Sequence, residues 1–183
     1  MKRIINEIDR YPGETQDILK AINEYSEIKE RISKDEYYLG IAESIAKRST
    51  CLRRQYGCVI VNNDEIIATG YNGSARNELN CCEIYVECPR KNKEHNSGDY
   101  SDCPAVHAEQ NAMLSASRQE MIGSTMYLYG QEISDEQITE SSPYKEKQVI
   151  EINAEPCPIC KRMIKNAGIS KIINIKGVTN VCN

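Results

Sequence analysis

The chain has 183 residues, with 27 acidic against 23 basic side chains and a formal net charge of −4. That balance argues against a broad electrostatic grip on long nucleic acid, which calls for a basic face. No apolar run approaches the roughly 20 residues that cross a bilayer as a helix, which excludes a helical membrane span.

The opening stretch MKRIINEIDRYPGETQ interleaves charges and lacks the continuous apolar segment of a secretory signal, so a cytoplasmic location is expected. Nine cysteines stand beside two histidines, with no Phe and no Trp. In a reducing compartment clustered thiols read as metal ligands rather than disulfides. Any stacking on a ligand then falls to tyrosine, histidine or an aliphatic wall. The length suits one core, organised as an N-terminal helical extension over 1–34 and a main domain over 35–183.

In chain order, residues 15–32 place Ile18, Leu19, Ile22, Tyr25, Ile28 and Ile32 on one helical face behind Thr15 as N-cap. The face serves either packing against the main core or a subunit contact, and a homo-oligomer is expected. A second helix is predicted over 35–48, with Leu39, Ala42, Ile45 and Ala46 at helical spacing. Two β-branched runs follow, 56–63 and 65–73, joined through Asn62, Asn63 and Asp64 as a tight hairpin. Residues 73–104 are a long, cysteine-rich loop. A helix over 104–120, a strand over 124–130, a polar stretch over 131–146 and a strand over 147–152 come next. The last elements are a helix over 156–168, stopped by Gly168, and a strand over 170–177. Strands alternating with helices indicate an α/β sandwich around one mixed sheet.

Two short motifs carry the chemistry: His107 and Glu109 in HAE, and Cys157 and Cys160 in PCPIC. One imidazole and two thiolates are a soft ligand set for Zn²⁺, and three protein ligands leave a fourth position for water. Cys157 and Cys160 fall on one face of the first helical turn, with Pro156 opening it. The helix N-terminus favours thiolate over thiol. Glu109, two positions past the histidine, comes near the metal without binding it, where it can take a proton from water and deliver it to a leaving group. Of the basic clusters, Arg53 and Arg54 stand out as candidates. Arg90, Lys91 and Lys93 read as solvated surface.

These blocks, STCLRRQYGCVIV at 49–61, ATGYNGS at 68–74, VHAEQNAM at 106–113 and EPCPICKRMIKNAGI at 155–169, resemble the cytidine and deoxycytidylate deaminase superfamily, most closely its deoxycytidylate branch, over residues 36–176. The resemblance implies a three-layer α/β/α sandwich around a mixed five-stranded sheet, with both zinc-bearing helix starts under one face. It implies hydrolytic conversion of dCMP to dUMP with release of ammonia. By position it makes His107, Cys157 and Cys160 the zinc ligands and Glu109 the proton shuttle. It also sets Asn72 against a sugar hydroxyl, the Ala108 amide against the pyrimidine carbonyl and Arg53 on the phosphate, which a bidentate guanidinium suits. A second, structural zinc known in some of these enzymes would here take Cys82, Cys88, His95 and Cys103, with Cys81 as substitute. Two departures stand out: Ala75 and Asn77 replace the Pro and Gly that often follow GYNG, which weakens the case for triphosphate control, and Gly130–Glu155 is longer than the usual link.

Other readings are deamination of cytidine, of cytosine or of adenosine in transfer RNA, or a non-catalytic, zinc-stabilised regulatory module of the same fold. The acidic balance opposes transfer RNA, and an intact Glu109 opposes a purely structural site.

Overall fold

The computed structural model describes residues 31–93, 97–98, 100–134 and 148–181, together with Asp17 and Lys20. The chain divides into two units, Met1–Ser33 and Lys34–Asn183, and the elements below belong to the second. Most of the helix expected over 15–32 lies outside the described residues. Among the described residues, no helix is long and apolar enough to cross a membrane.

The predicted hairpin forms as β1 (Arg54–Asn62) and β2 (Glu65–Tyr71) after helix α1 (Lys34–Ala46). Its turn residues Asn63 and Asp64 both have positive φ, 49° and 69°, as a two-residue turn of the primed type demands. On β1, Cys58 and Ile60 point to one core, and Val59 and Val61 to the other. Because the side-chain period of a strand is two, an unbroken buried run of this kind means that both faces of the sheet are covered. Helix α1 covers the face of Val59, Tyr127 and Tyr129 through Tyr38, Ala42 and Ala46. The opposite face packs Cys58, Met126 and Leu128 against the helices that carry the two motifs. This is the expected three-layer arrangement.

Between the hairpin and the first motif, the long loop holds a four-residue helix α2 (Cys81–Ile84) and is closed at its base by the short strands β3 (Gly73–Ser74) and β4 (Ala105–Val106). The helix expected over 104–120 is two pieces, α3 (Ala108–Leu114) and α4 (Arg118–Met121). The break has a local cause: Ser117 and Glu120 form a capping box that starts a new helix.

Strand β5 (Thr125–Ser134) runs four residues past its predicted end. It pairs along its length with β1, while its other edge takes β7 (Lys171–Asn174) in parallel at its start and β6 (Gln148–Ile152) antiparallel at its end. The polar Gln131 and Glu132 are held in the sheet by these neighbours. The run expected over 170–177 turns back after Asn174, and β8 (Gly177–Asn180) adds an antiparallel edge. Among the described residues the main sheet therefore has six strands, in the order β2-β1-β5-β7-β8 with β6 on β5, where five were expected. Helix α5 (Pro158–Ala167) ends on Gly168 with φ of 85°, the left-handed stop that glycine permits.

One glycine positions the site directly. A Cβ on Gly70 would lie 2.3 Å from the Ala108 carbonyl oxygen and 2.4 Å from the Ala112 nitrogen. Only a residue without a side chain lets the first turn of α3 rest on β2 at that distance.

Candidate active site

His107 and Cys157 are both N-caps, of α3 and α5, and both have extended backbone there, with ψ of 154° and 165°. An extended N-cap turns its side chain across the helix end. The His107 N–H donates to Gln110 Oε1 at 3.0 Å, and the Cys160 N–H donates to Cys157 Sγ at 3.4 Å. Pro158, not Pro156, is the proline in the first turn of α5, because the helix begins one residue after Cys157.

These two caps bring three ligand atoms together. His107 Nδ1 lies 3.6 Å from Cys157 Sγ and 3.5 Å from Cys160 Sγ. Among the described residues, this is the only group of three or more potential metal ligands whose ligand atoms all lie within 4.8 Å of one another. Edges near 3.5 Å are what bonds of about 2.0–2.3 Å produce around a tetrahedral zinc. The electrostatics make the same demand. Burial, then the Glu109 and Cys157 charges, pushes the Cys160 thiol far above its ordinary range, so a thiolate here needs a cation. Burial, and then the Arg90 charge, pulls His107 down toward the neutral, ligating form. The donor set thus fits zinc.

Glu109 is buried beside this cluster and shares a hydrogen bond with Cys160. Burial raises its pKa to about 6, against the opposing pull of its backbone and Cys160 hydrogen bonds. A cavity of about 110 Å³ opens above, lined among others by His107, Ala108, Glu109, Asn72, Tyr56 and Tyr100. Tyr100 stands edge-on to the His107 ring, with centroids 5.3 Å apart. Burial, offset in part by Arg54, takes the Tyr56 phenol up to about 12.

Asn72 and Arg53 reach this cavity but are already engaged. Asn72 Nδ2 donates to the Arg54 carbonyl at 2.8 Å and its Oδ1 accepts the Tyr56 N–H at 2.7 Å, which pins β1 beside the site. Arg53 donates from Nη1 to the carbonyls of Arg90 and Lys93 and from Nε to Glu132. Arg90, read from sequence as solvated surface, lines the cavity. Its distance along the chain from either motif hid it. Nothing in the local pattern shows that the loop folds back.

Of the loop set expected from the sequence, Cys88 and Cys103 line this cavity. Cys82 is exposed and His95 lies outside the described residues. Cys81 is buried, and Cys51, Cys88 and Cys103 are close enough that their charges help raise its thiol to about 11, after burial as the main cause. Cys51, missed in the sequence because it sits in the block before β1, is raised by burial and then, past opposing backbone hydrogen bonds, by Cys88 and Cys103.

The family model for the cytidine and deoxycytidylate deaminase zinc-binding region matches residues 32–176. A deoxycytidylate deaminase of Mycobacterium phage D29 is 34% identical over 145 residues, covering 76% of this chain and 91% of that protein. One from Schizosaccharomyces pombe is 45% identical over 100 residues, but this chain spans only 30% of its length and the match covers 54% of this chain. The crystal structure of the dCMP deaminase from cyanophage S-TIM5 in complex with dCMP and dUMP superposes with a TM-score of 0.53 at 25% identity, covering 79% of this chain and 83% of that one.

Proposed function

The chain belongs to the cytidine and deoxycytidylate deaminase family, and from that premise we propose that it hydrolyses the C4 amine of dCMP, giving dUMP and ammonia. The observation that carries this reading is the joint placement of His107, Cys157 and Cys160 around one point, with the buried Glu109 carboxyl beside them at the floor of a cavity. The dCMP and dUMP bound in the cyanophage relative support the choice of base.

Zinc held by His107, Cys157 and Cys160 would supply a Lewis acid that makes water nucleophilic near neutral pH. Glu109 takes a proton from the attacking water and gives it to N3 as the C4=N3 double bond opens, then passes the C4 hydroxyl proton to the amine nitrogen, which leaves as ammonia as C4=O forms. Its raised pKa keeps both uptake and release of that proton accessible, as general acid–base catalysis requires. The Ala108 N–H, at the first position of α3 where a helix leaves its amides without an intrahelical partner, would serve as the donor to the base carbonyl. Buried Asn72 holds the β1 backbone under the sugar and retains a second amide hydrogen for its hydroxyl.

A second, structural zinc is part of this proposal, held by Cys51, Cys81, Cys88 and Cys103. Its support is that Cys51, Cys88 and Cys103 line one cavity and that the charges of all three help raise the thiol of the buried Cys81. Their sulfurs do not meet the 4.8 Å spacing of the first cluster, so the ion would draw them inward. The working unit is a cytoplasmic homo-oligomer, a reading supported by Leu114, Ile159 and Met163, which leave apolar surface exposed on α3 and α5. Sedimentation as a monomer at micromolar concentration would remove that part. Ammonia release from dCMP, deoxycytidine, CMP, cytosine and adenosine tests the whole: dCMP should be the best substrate, and release from adenosine alone would overturn the assignment.

A further inference from the structure

Three arginines reach the cavity above the metal cluster, Arg53, Arg54 and Arg90, and they are not equivalent. The Arg53 guanidinium is spent on the protein: Nη1 donates to the Arg90 carbonyl at 2.6 Å and to the Lys93 carbonyl at 3.0 Å, and Nε to Glu132 Oε1 at 3.3 Å. It clamps the loop by its backbone at the point where Arg90 departs. Arg90 itself forms no ion pair with a carboxylate among the described residues. Its guanidinium lies 4.3 Å from the centre of the Tyr100 ring, and Tyr100 leans on His107. Stacking occupies the face of a guanidinium and leaves its in-plane N–H groups for an acceptor. One of them, Nη2, donates to Ser97 Oγ at 3.2 Å. Among the described residues the buried Nε has no partner, and neither has the Nε of Arg54.

Buried donors without acceptors at the mouth of a cavity point to an acceptor that arrives with the ligand. The charges agree. Glu132 bridges Arg53 and Arg54 and offsets one of the three guanidinium charges. Glu155, on the rim, is shared with Lys161 and Asn153. Two positive charges remain, the complement of a phosphate monoester, which carries about −1.5 to −2 near neutral pH.

We propose that Arg90, together with Arg54, binds the 5′-phosphate of the nucleotide, and that Arg53 is a positioning residue that fixes the loop carrying Arg90 rather than a phosphate ligand. The proposal rests on the reading of the site as a nucleotide deaminase and names the residues that would make it prefer a nucleotide to a nucleoside.

The experiment measures kcat and KM for dCMP and for deoxycytidine with the zinc-loaded full chain and its variants. The quantity to follow is the preference, the ratio of the two kcat/KM values. Arg90→Gln should lower that preference by about 10- to 100-fold, through KM for dCMP, since charge-assisted hydrogen bonds are the ones removed. Arg90→Lys should fall between, because it keeps the charge without the fork. Arg53→Gln should move the preference in the same direction. The double variant should be no worse than Arg90→Gln alone, because Arg53 acts through Arg90. A merely structural role would change both substrates together and leave the preference intact. If Arg90→Gln does not fold, Arg90→Lys carries the comparison. A wild-type preference that survives the Arg90 change overturns the proposal, and full additivity of the Arg53 and Arg90 changes overturns the positioning role. A wild type that does not prefer dCMP overturns the nucleotide reading itself, before any variant is compared.

Discussion

The Cys160 thiol is hydrogen-bonded to the Glu109 carboxyl, so the proposed metal ligand from α5 and the proposed proton carrier from α3 meet across the seam between the two helices. With Cys160 as a metal-bound thiolate, that hydrogen bond forms when Glu109 carries the proton. Glu109→Gln keeps the shape and the hydrogen-bonding reach but cannot carry a proton. Deamination should fall by about 10² to 10⁴ with zinc content unchanged. Ammonia release measured alongside metal analysis checks this, and near wild-type turnover in a zinc-replete variant would remove Glu109 from the mechanism.

Metal content should be close to two zinc per chain. Cys157→Ser should lose one ion and all activity, because it removes a ligand at the N-cap of α5. Cys81→Ser should lose the other and lower the melting temperature, since it opens the buried corner of the loop. A wild-type count of one, with Cys81→Ser unaffected, would show that the loop holds no metal.

Two glycines should respond in opposite directions. Gly70→Ala forces a methyl into the first turn of α3 and should cost about 1–3 kcal/mol and weaken zinc binding, because His107 moves with that turn. Gly40→Ala, within α1 and with nothing within 4 Å of the added methyl, should stabilise by about 0.5–1 kcal/mol. Thermal unfolding with metal analysis separates them, and a Gly70→Ala protein with unchanged stability and zinc would refute the close-approach argument.

Glu132 sets an acid limit. Burial alone would raise its pKa, but hydrogen bonds and charge from Arg54 and Arg53 outweigh burial and bring it below the ordinary 4.5. A folded value below the unfolded one gives stability that is fully present above pH 4.5 and is lost as pH falls through the lowered value. Glu132→Gln should cost about 1–3 kcal/mol at neutral pH and flatten the decline in that acid window. Denaturant unfolding at several pH values checks the sign, and a variant that loses stability in acid as steeply as the wild type would contradict it.

What could be read from the sequence alone is what depends on near neighbours in the chain. The hairpin turn at Asn63 and Asp64, the helix end at Gly168 and the faces of β1 follow from backbone preferences and a period of two. The motifs HAE and PCPIC were legible for the same reason, since each opens a helix and needs only its own first turn to aim its ligands. The tertiary structure decided the rest. That β5 continues through Gln131 and Glu132 depends on β1 and β6 lying at its edges, which no local pattern encodes. That Cys51, Cys88 and Cys103 line one cavity, and that Arg90 reaches it while Arg53 is tied to the loop backbone, depends on contacts between segments far apart in the chain. In an irregular segment side-chain direction has no period, so which cysteine or arginine faces inward is set by long-range packing.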